Sequence, residues 1–260
     1  LPVCLGSATR ACEMLTDRTK EYVAELLLGK ITDTQDTTGT VLEEREVAVD
    51  EAQVREVIGS FVGGYDQIPP MYSALKVNGK KLYELARAGK EVERQARHVD
   101  LPAIEILEIR LPMVKFRVEC SKGTYIRSLC ADIGGKLGCG GTMQSLVRTR
   151  VGEFRLTDAL TLTQLQELRD MDRLEEALLP TDRIFADFNA VHVEEKWRKL
   201  IDNGNAFYPG QTMEQTTYPV GEWVRVYRED DSFVGIYAYD GAKEWYKPVK
   251  IFPSNTESRK

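Results

Sequence analysis

Hydrophobic side chains recur at every second position from Tyr22 to Leu28, where Tyr22, Ala24, Leu26 and Leu28 alternate with Val23, Glu25 and Leu27. That period predicts a strand over residues 20–28, buried on at least one face and ended by Gly29. A polar run from Thr32 to Gly39 reads as a loop. Asp50 has the chemistry of a helix N-cap with Gln53 three residues on, and Val54, Val57, Ile58 and Phe61 share one helical face. A helix is predicted there, closed by Gly63 and Gly64. Pro69 and Pro70 remove amide donors, so residues 67–76 are predicted to be extended. They lead into a short basic helix over residues 80–88, with Leu82, Leu85 and Ala86 inward and Gly89 ending it.

Val114, Phe116, Val118 and Cys120 alternate with Lys115, Arg117, Glu119 and Ser121, which predicts a half-buried strand with a basic outer face. After Lys122, Gly123 and Thr124, the spacing of Ile126, Leu129, Cys130, Ile133 and Leu137 predicts an amphipathic helix stopping at Gly138. Another helix is expected around Leu162, Leu165 and Leu168, and Pro180 limits a further helical stretch. The last part of the chain changes character. A helix around Trp197, Leu200 and Ile201 ends at Gly204, and strand-like runs follow at 223–227, 233–239 and 249–252.

At 260 residues the chain is long enough for one large domain and a smaller one. No stretch approaches the roughly 18 uninterrupted apolar residues of a membrane span, and the start at Leu1 lacks the pattern of a signal peptide. A cytoplasmic protein is expected. Cys4, Cys12, Cys120, Cys130 and Cys139 are odd in number and contain no C-x-x-C pair, which suggests neither a disulfide framework nor a zinc site. His98 and His192 are the only histidines, so no metal role is expected.

The net charge of −6 argues mildly against a nucleic-acid partner until its distribution is considered. Residues 1–75 carry −7, whereas residues 76–98 carry +4 and residues 115–150 carry +5. Positive charge gathered in the middle of the chain is what a phosphate-facing surface requires, and it is also what a chance excess of surface lysines produces.

Arg127 sits in the first turn of its predicted helix and off the apolar stripe. A cation there opposes the helix dipole, so it is either a solvated surface arginine or one with a carboxylate or phosphate to hold. Tyr22 on the inner face of its strand is either core or catalytic. Asp33 and Asp36 invite reading as a carboxylate pair, but in a threonine-rich loop such residues are more often turn formers. The glycine-rich run from Gly134 to Gly141 matches neither the P-loop nor the dinucleotide pattern, which removes nucleotide binding.

Six strings, taken in order, resemble the bacterial tRNA pseudouridine synthase B family. They are LPVCLGSATR at 1–10, KEY at 20–22, LGKITDTQD at 28–36, IPPMYSALK at 68–76, CSKGTYIRSL at 120–129 and LVRTRVG at 146–152. The resemblance implies isomerisation of one T-arm uridine of tRNA, conventionally position 55, with neither cofactor nor metal. It implies that Tyr22 packs against the target base, that Arg127 pairs with the catalytic aspartate, and that Leu146 helps form the base pocket. The family's nucleophile lies in a Gly-Thr-Leu-Asp-Pro segment just upstream of the string that begins here at Leu1. The 260-residue chain is therefore expected to be N-terminally incomplete and inactive as an isomerase, which leaves a non-catalytic tRNA-binding or tRNA-folding protein as the alternative.

The family fold implied is α+β: a mixed, mostly antiparallel sheet flanked by helices, with a small β-rich C-terminal domain. The catalytic domain is expected over residues 1–185, with an RNA-binding insertion over about 63–100, and the RNA-contacting C-terminal domain over 190–255. Arg10, Lys20, Lys76, Lys80, Lys81, Arg87, Lys90, Arg94 and Arg97 are the expected contacts to the T-arm stem-loop. The strings GKKLYE at 79–84 and ARAG at 86–89 resemble the stand-alone bacterial tRNA form more than a relative acting on ribosomal RNA or within a guide-RNA complex. A monomer is expected.

Overall fold

A computed structural model describes residues 1–77 and 79–253, and the chain divides into two compact units: residues 16–159 with Leu1, and residues 2–15 with those from 160 onward. Helix α1 (Cys12–Asp17) precedes β1 (Lys20–Leu28), the hairpin β2 (Lys30–Thr32) and β3 (Val41–Glu44), and helix α2 (Glu51–Gly59). Next come β4 (Tyr65–Gln67), β5 (Lys76–Val77), β6 (Lys80–Lys81), helix α3 (Leu82–Arg87), β7 (Arg97–Val99), β8 (Ala103–Arg110) and β9 (Met113–Cys120). Helix α4 (Ile126–Lys136), β10 (Gly141–Val151) and β11 (Phe154–Arg155) complete the unit of residues 16–159, to which α1 contributes only its last two residues.

Its frame is a five-stranded sheet of order β11-β10-β1-β9-β8, antiparallel throughout. The alternation that predicts β1 has a direct cause, since Ala24, Leu26 and Leu28 turn to one face beside Val114, Phe116, Val118 and Cys120 of β9. That face is covered by Ile126, Leu129, Cys130 and Ile133 of α4 and by Val54 and Ile58 of α2, with Phe61. Burial of a side chain of this size contributes about 1.5–3 kcal/mol. A one-residue slip would bring the charged face inside, so the pattern also fixes the register.

The opposite face shows why the basic outer side of β9 is not a free patch. Lys115 meets Glu25 of β1 at 3.2 Å, and Arg150 of β10 meets Glu119 at 2.8 Å. Arg117 reaches Glu21 at 3.9 Å and also pairs with Glu105 of β8. These cations are neutralised across the strands.

Several boundaries differ from the sequence pattern. Asp50 does cap α2 through a reciprocal capping box with Gln53, but the helix stops at Gly59, and a turn carries the chain on to Gly63 and Gly64. Gly64 has φ +127°, and a Cβ there would come within 2.4 Å of the Val99 carbonyl oxygen, so this glycine serves the entry to β4 rather than the helix end. Helix α3 begins at Leu82 because Lys80 and Lys81 pair with Val77 and Lys76 as a two-stranded hairpin. Strand β8 escapes the alternation rule because Leu107 is extra in the register between Ile106↔Phe116 and Glu108↔Lys115. That bulge turns a period-2 pattern into an irregular one.

In the second unit α5 (Leu162–Asp170) is followed by β12 (Asn189–Val193), α6 (Arg198–Asp202), β13 (Trp223–Arg228), β14 (Phe233–Asp240) and β15 (Trp245–Ile251). Here β12 is parallel to β13, and the remaining neighbours are antiparallel. Val191, Val193, Ile201, Phe207, Val224, Val226, Tyr237 and Tyr246 form the core of this unit. The α+β architecture, mostly antiparallel with a small β-rich C-terminal part, is the one the sequence predicts. No helix among the described residues is long and apolar enough to cross a membrane.

Candidate active site

Helix α4 starts at Ile126 with Tyr125 as N-cap, and Tyr125 supplies no side-chain cap. Arg127 stands in this first turn. Its Nη1 donates to Asp36 Oδ2 at 3.3 Å and its Nη2 donates to the Tyr72 carbonyl oxygen at 2.6 Å. The anion that the dipole argument calls for is thus Asp36. Both partners are largely enclosed, with side-chain exposures of 24% for Arg127 and 17% for Asp36, so solvent screens this ion pair less than a surface one.

Asp36 owes its position to the polar run between β2 and β3. Its Oδ1 accepts from the Thr34 hydroxyl at 2.9 Å, the Thr38 amide at 3.1 Å and the Thr38 hydroxyl at 2.5 Å. The turn-forming role read from the sequence is therefore present, and Oδ2 remains for the arginine. Burial alone would raise the Asp36 carboxyl, but the Thr38 and Thr34 hydrogen bonds, with Arg127, hold it below its ordinary value.

The same loop is stitched down on two sides. The Thr37 amide donates to the Met143 carbonyl at 3.0 Å, and the Met143 amide donates to that of Gln35, also at 3.0 Å. The Ser128 hydroxyl donates to Gln35 Oε1 at 2.6 Å, and Gln35 has φ +66°, uncommon for a non-glycine residue. Neighbouring α4 residues thus grip neighbouring loop residues, Arg127 with Asp36 and Ser128 with Gln35.

Tyr22 and Leu146 lie on adjacent strands: Tyr22 pairs with Arg148, and Ala24 with Leu146. The shared register places both on the sheet face against which α4 packs, and Tyr22 borders the core while Leu146 is 39% exposed. Tyr22 and Leu146 thus share the sheet face on which α4 packs, and Arg127 stands in the first turn of that helix with its carboxylate already in place.

The cations expected at an RNA surface divide into two groups. Lys76, Lys80, Arg87, Lys90 and Arg97 are exposed and, among the described residues, form no ion pair. The others have internal duties. Arg10 donates to the Ile251 carbonyl at 3.0 Å, and Lys20 donates to the carbonyls of Thr16 and, at 2.6 Å, Arg18. Burial pushes the Lys20 ammonium below its usual range. Arg94 donates to the Pro69 carbonyl at 3.1 Å and to Glu91 at 3.2 Å, and Lys81 donates to the Tyr83 hydroxyl at 3.3 Å, over a ring that the exposed Arg87 also faces. Sequence reading leaves Asp36 and the Tyr72 carbonyl without a role at Arg127. A backbone acceptor has no side-chain signal, but an aspartate flanked by Thr34, Thr37 and Thr38 does.

Residues 1–126 match the TruB family pseudouridylate synthase N-terminal domain, and residues 127–186 match the tRNA pseudouridylate synthase B C-terminal domain. The tRNA pseudouridine synthase B of Alkaliphilus oremlandii is 47% identical, over 96% of this chain and 83% of its own. That of Lachnoclostridium phytofermentans is 48% identical, over 97% and 85%. Among solved structures, a Cbf5-Nop10-Gar1 complex contains a chain similar at a TM-score of 0.72 and 25% identity, covering 97% of this chain and 72% of that one. An H/ACA ribonucleoprotein bound to a substrate RNA with 2'-deoxyuridine contains another, at 0.70 and 22%, covering 96% and 71%, a likeness of fold. With both domain models matched in order and near-half identity along nearly the whole chain, this protein belongs to the tRNA pseudouridine synthase B family.

Proposed function

We propose that this tRNA pseudouridine synthase isomerises the uridine at position 55 in the T-arm, using neither metal nor cofactor. The observation that carries the reading is the Arg127 cluster: a guanidinium fixed by Asp36 and the Tyr72 carbonyl at the start of α4, on the sheet face that Tyr22 and Leu146 share. In the reaction the bond from N1 to the sugar breaks, the base turns, and a bond from C5 to the same sugar carbon forms. The C5 proton is lost and N1 gains one, so product and substrate are isomers. A carboxylate nucleophile is needed to hold the intermediate, and the family resemblance assigns that role to an aspartate preceding the LPVCLGSATR motif.

Asp36 is not that nucleophile in our reading, because its oxygens are already occupied by Thr34, Thr38 and Arg127. Its role is to neutralise and aim Arg127. Tyr22 stacks on the extracted base and Leu146 closes the apolar pocket, an environment that offsets the few kcal/mol of unstacking. Lys76, Lys80, Arg87, Lys90 and Arg97 hold the phosphates through the insertion at residues 63–100, whose ends meet in the two-stranded stem of β4 and β7. Residues 1–185 form the catalytic part in this reading, and residues 190–255 an RNA-contacting domain. The free thiols support a reduced, cytoplasmic setting.

The test is release of tritium from C5-labelled T-arm stem-loop RNA by the full-length protein, with an unrelated hairpin of equal length beside it, together with binding of both RNAs by the 260-residue chain at two salt concentrations. Release from the T-arm alone, and preferential binding that weakens steeply with salt, are expected. Equal release or equal binding for the two RNAs would remove the T-arm assignment. Preferential binding with no release by the full-length protein would favour the tRNA-binding alternative.

A further inference from the structure

Helix α4 presents a problem that its own sequence does not solve. Its N-cap Tyr125 offers no capping side chain, and a cation occupies the first turn, so both local determinants of a firm helix start are missing. Yet Arg127 must sit within tenths of an ångström of its partners to bond both Asp36 and the Tyr72 carbonyl.

Support for the helix start comes instead from β4, at the N-cap residue itself. Gln67 Oε1 accepts from the Tyr125 amide at 2.8 Å, and Gln67 Nε2 donates to the Tyr125 carbonyl oxygen at 3.0 Å. The side-chain amide thereby pairs with both backbone groups of one residue, as a neighbouring strand would. The second Nε2 hydrogen goes to the Tyr65 hydroxyl at 2.6 Å, and that hydroxyl donates to Asp132 Oδ2, further along α4, at 2.8 Å. Gln67 is only 2% exposed, and both its hydrogens and its oxygen are used.

Gln67 is also where the chain enters the stretch that Arg127 grips. It pairs with Arg97 at the mouth of the β4–β7 stem. After it come Pro69, whose carbonyl accepts from Arg94 at 3.1 Å, and Tyr72, whose carbonyl accepts from Arg127. One residue therefore fixes the donor end of the Arg127 to Tyr72 contact, through Tyr125, and tethers its acceptor end through a short segment held by two prolines.

We infer that Gln67 is a positioning residue for Arg127, joining the stem of the insertion to the first turn of α4. Engagement of the insertion by RNA and alignment of the arginine then share this one amide. The inference rests on the placement of Arg127 in the active site proposed above.

The experiment uses Gln67→Glu and Gln67→Leu in the full-length protein, alone and combined with Arg127→Lys. For each, the single-turnover rate at saturating tRNA, the Kd for tRNA and the thermal midpoint are measured. Glutamate keeps the acceptor for the Tyr125 amide but sets a carboxylate against the Tyr125 carbonyl, whereas leucine removes all three Gln67 hydrogen bonds at similar volume. Each variant is expected to lower the rate constant about 10- to 100-fold, the scale of a misplacement near 1 Å, with Kd changed less than about twofold, since the exposed cations are untouched. On the Arg127→Lys background the same change should cost less than about twofold further, because coupled residues are not additive. Full multiplicative loss on that background, or wild-type rates in both single variants, would overturn the inference while leaving Arg127 in place. A wild-type rate in Arg127→Lys alone would instead remove the active-site reading beneath it.

Discussion

Asp36 shows how much a single side chain can be made to do. It closes the threonine loop with one oxygen and holds Arg127 with the other. Because its carboxyl is held below the ordinary value in the folded protein, its contribution is fully present above the unfolded-state pKa of about 3.9 and is lost as pH falls through the lower folded value. Asp36→Asn keeps the shape but cannot accept from every donor around it, and is expected to cost about 1–3 kcal/mol near neutral pH. Urea unfolding of both proteins from pH 7 downward should show a constant gap until about pH 5 and a shrinking one below about pH 4. A gap that stays constant to about pH 3 would mean the ionised form has no special role. The sequence shows Asp36 as a turn former, and so it is. Its second role depends on a helix 91 residues away, and no local pattern encodes that. Arg127 is legible for the opposite reason, since a cation in a helix's first turn is a local conflict that demands an external answer.

At the scale of elements, the glycine-rich run that matches no phosphate-binding pattern has a packing explanation. An added Cβ on Gly134 of α4 would come within 2.2 Å of the Gly141 amide nitrogen at the start of β10, and one on Gly141 within 2.8 Å of the Cys130 carbonyl. The helix and the strand that returns beside β1 meet backbone to backbone, which also seats Arg127 and Ser128 above the loop they hold. Gly135, one residue on, has nothing within 4 Å of its added Cβ. Gly134→Ala should therefore destabilise by at least the ~1–3 kcal/mol typical of overpacking, whereas Gly135→Ala should be neutral or stabilise by up to about 1 kcal/mol through helix propensity. Thermal unfolding of the two variants separates these cases, and similar shifts in both would contradict the close approach. Periodicity reveals β1, β9 and α4 because their apolar stripes are unbroken. It misses β8, where the Leu107 bulge resets the phase, and β10, whose residues from Gln144 to Arg148 are all exposed and show no alternation to read. The strand that carries Leu146 is thus the one whose pattern is least informative.

For the whole molecule, a net charge of −6 conceals where RNA can be held. Charge along the chain gathers in two basic stretches, residues 76–98 and 115–150, and the structure gives them different fates. In the second, Lys115, Arg117 and Arg150 spend their charge on Glu25, Glu21, Glu105 and Glu119 across the sheet, and Arg127 faces inward to Asp36, which leaves Arg148 exposed and, among the described residues, without an ion pair. In the first, Lys80, Arg87 and Lys90 are exposed and, among the described residues, without an ion pair. Each phosphate neutralised by a protein cation releases counterions condensed on the RNA, and a cation without an ion pair is free to do this at no cost in broken pairs. The triple change Lys80→Ala, Arg87→Ala, Lys90→Ala is therefore expected to weaken T-arm binding and flatten the plot of log K against log salt by about 3, roughly one unit for each phosphate no longer neutralised. The double change Lys115→Ala, Arg117→Ala removes two charges from the paired face and should leave that slope within about half a unit of the wild type. Measured side by side, the two sets decide whether RNA reads the insertion or merely the summed positive charge of the middle of the chain. Equal flattening per charge removed would favour the latter and would take the insertion out of the binding surface.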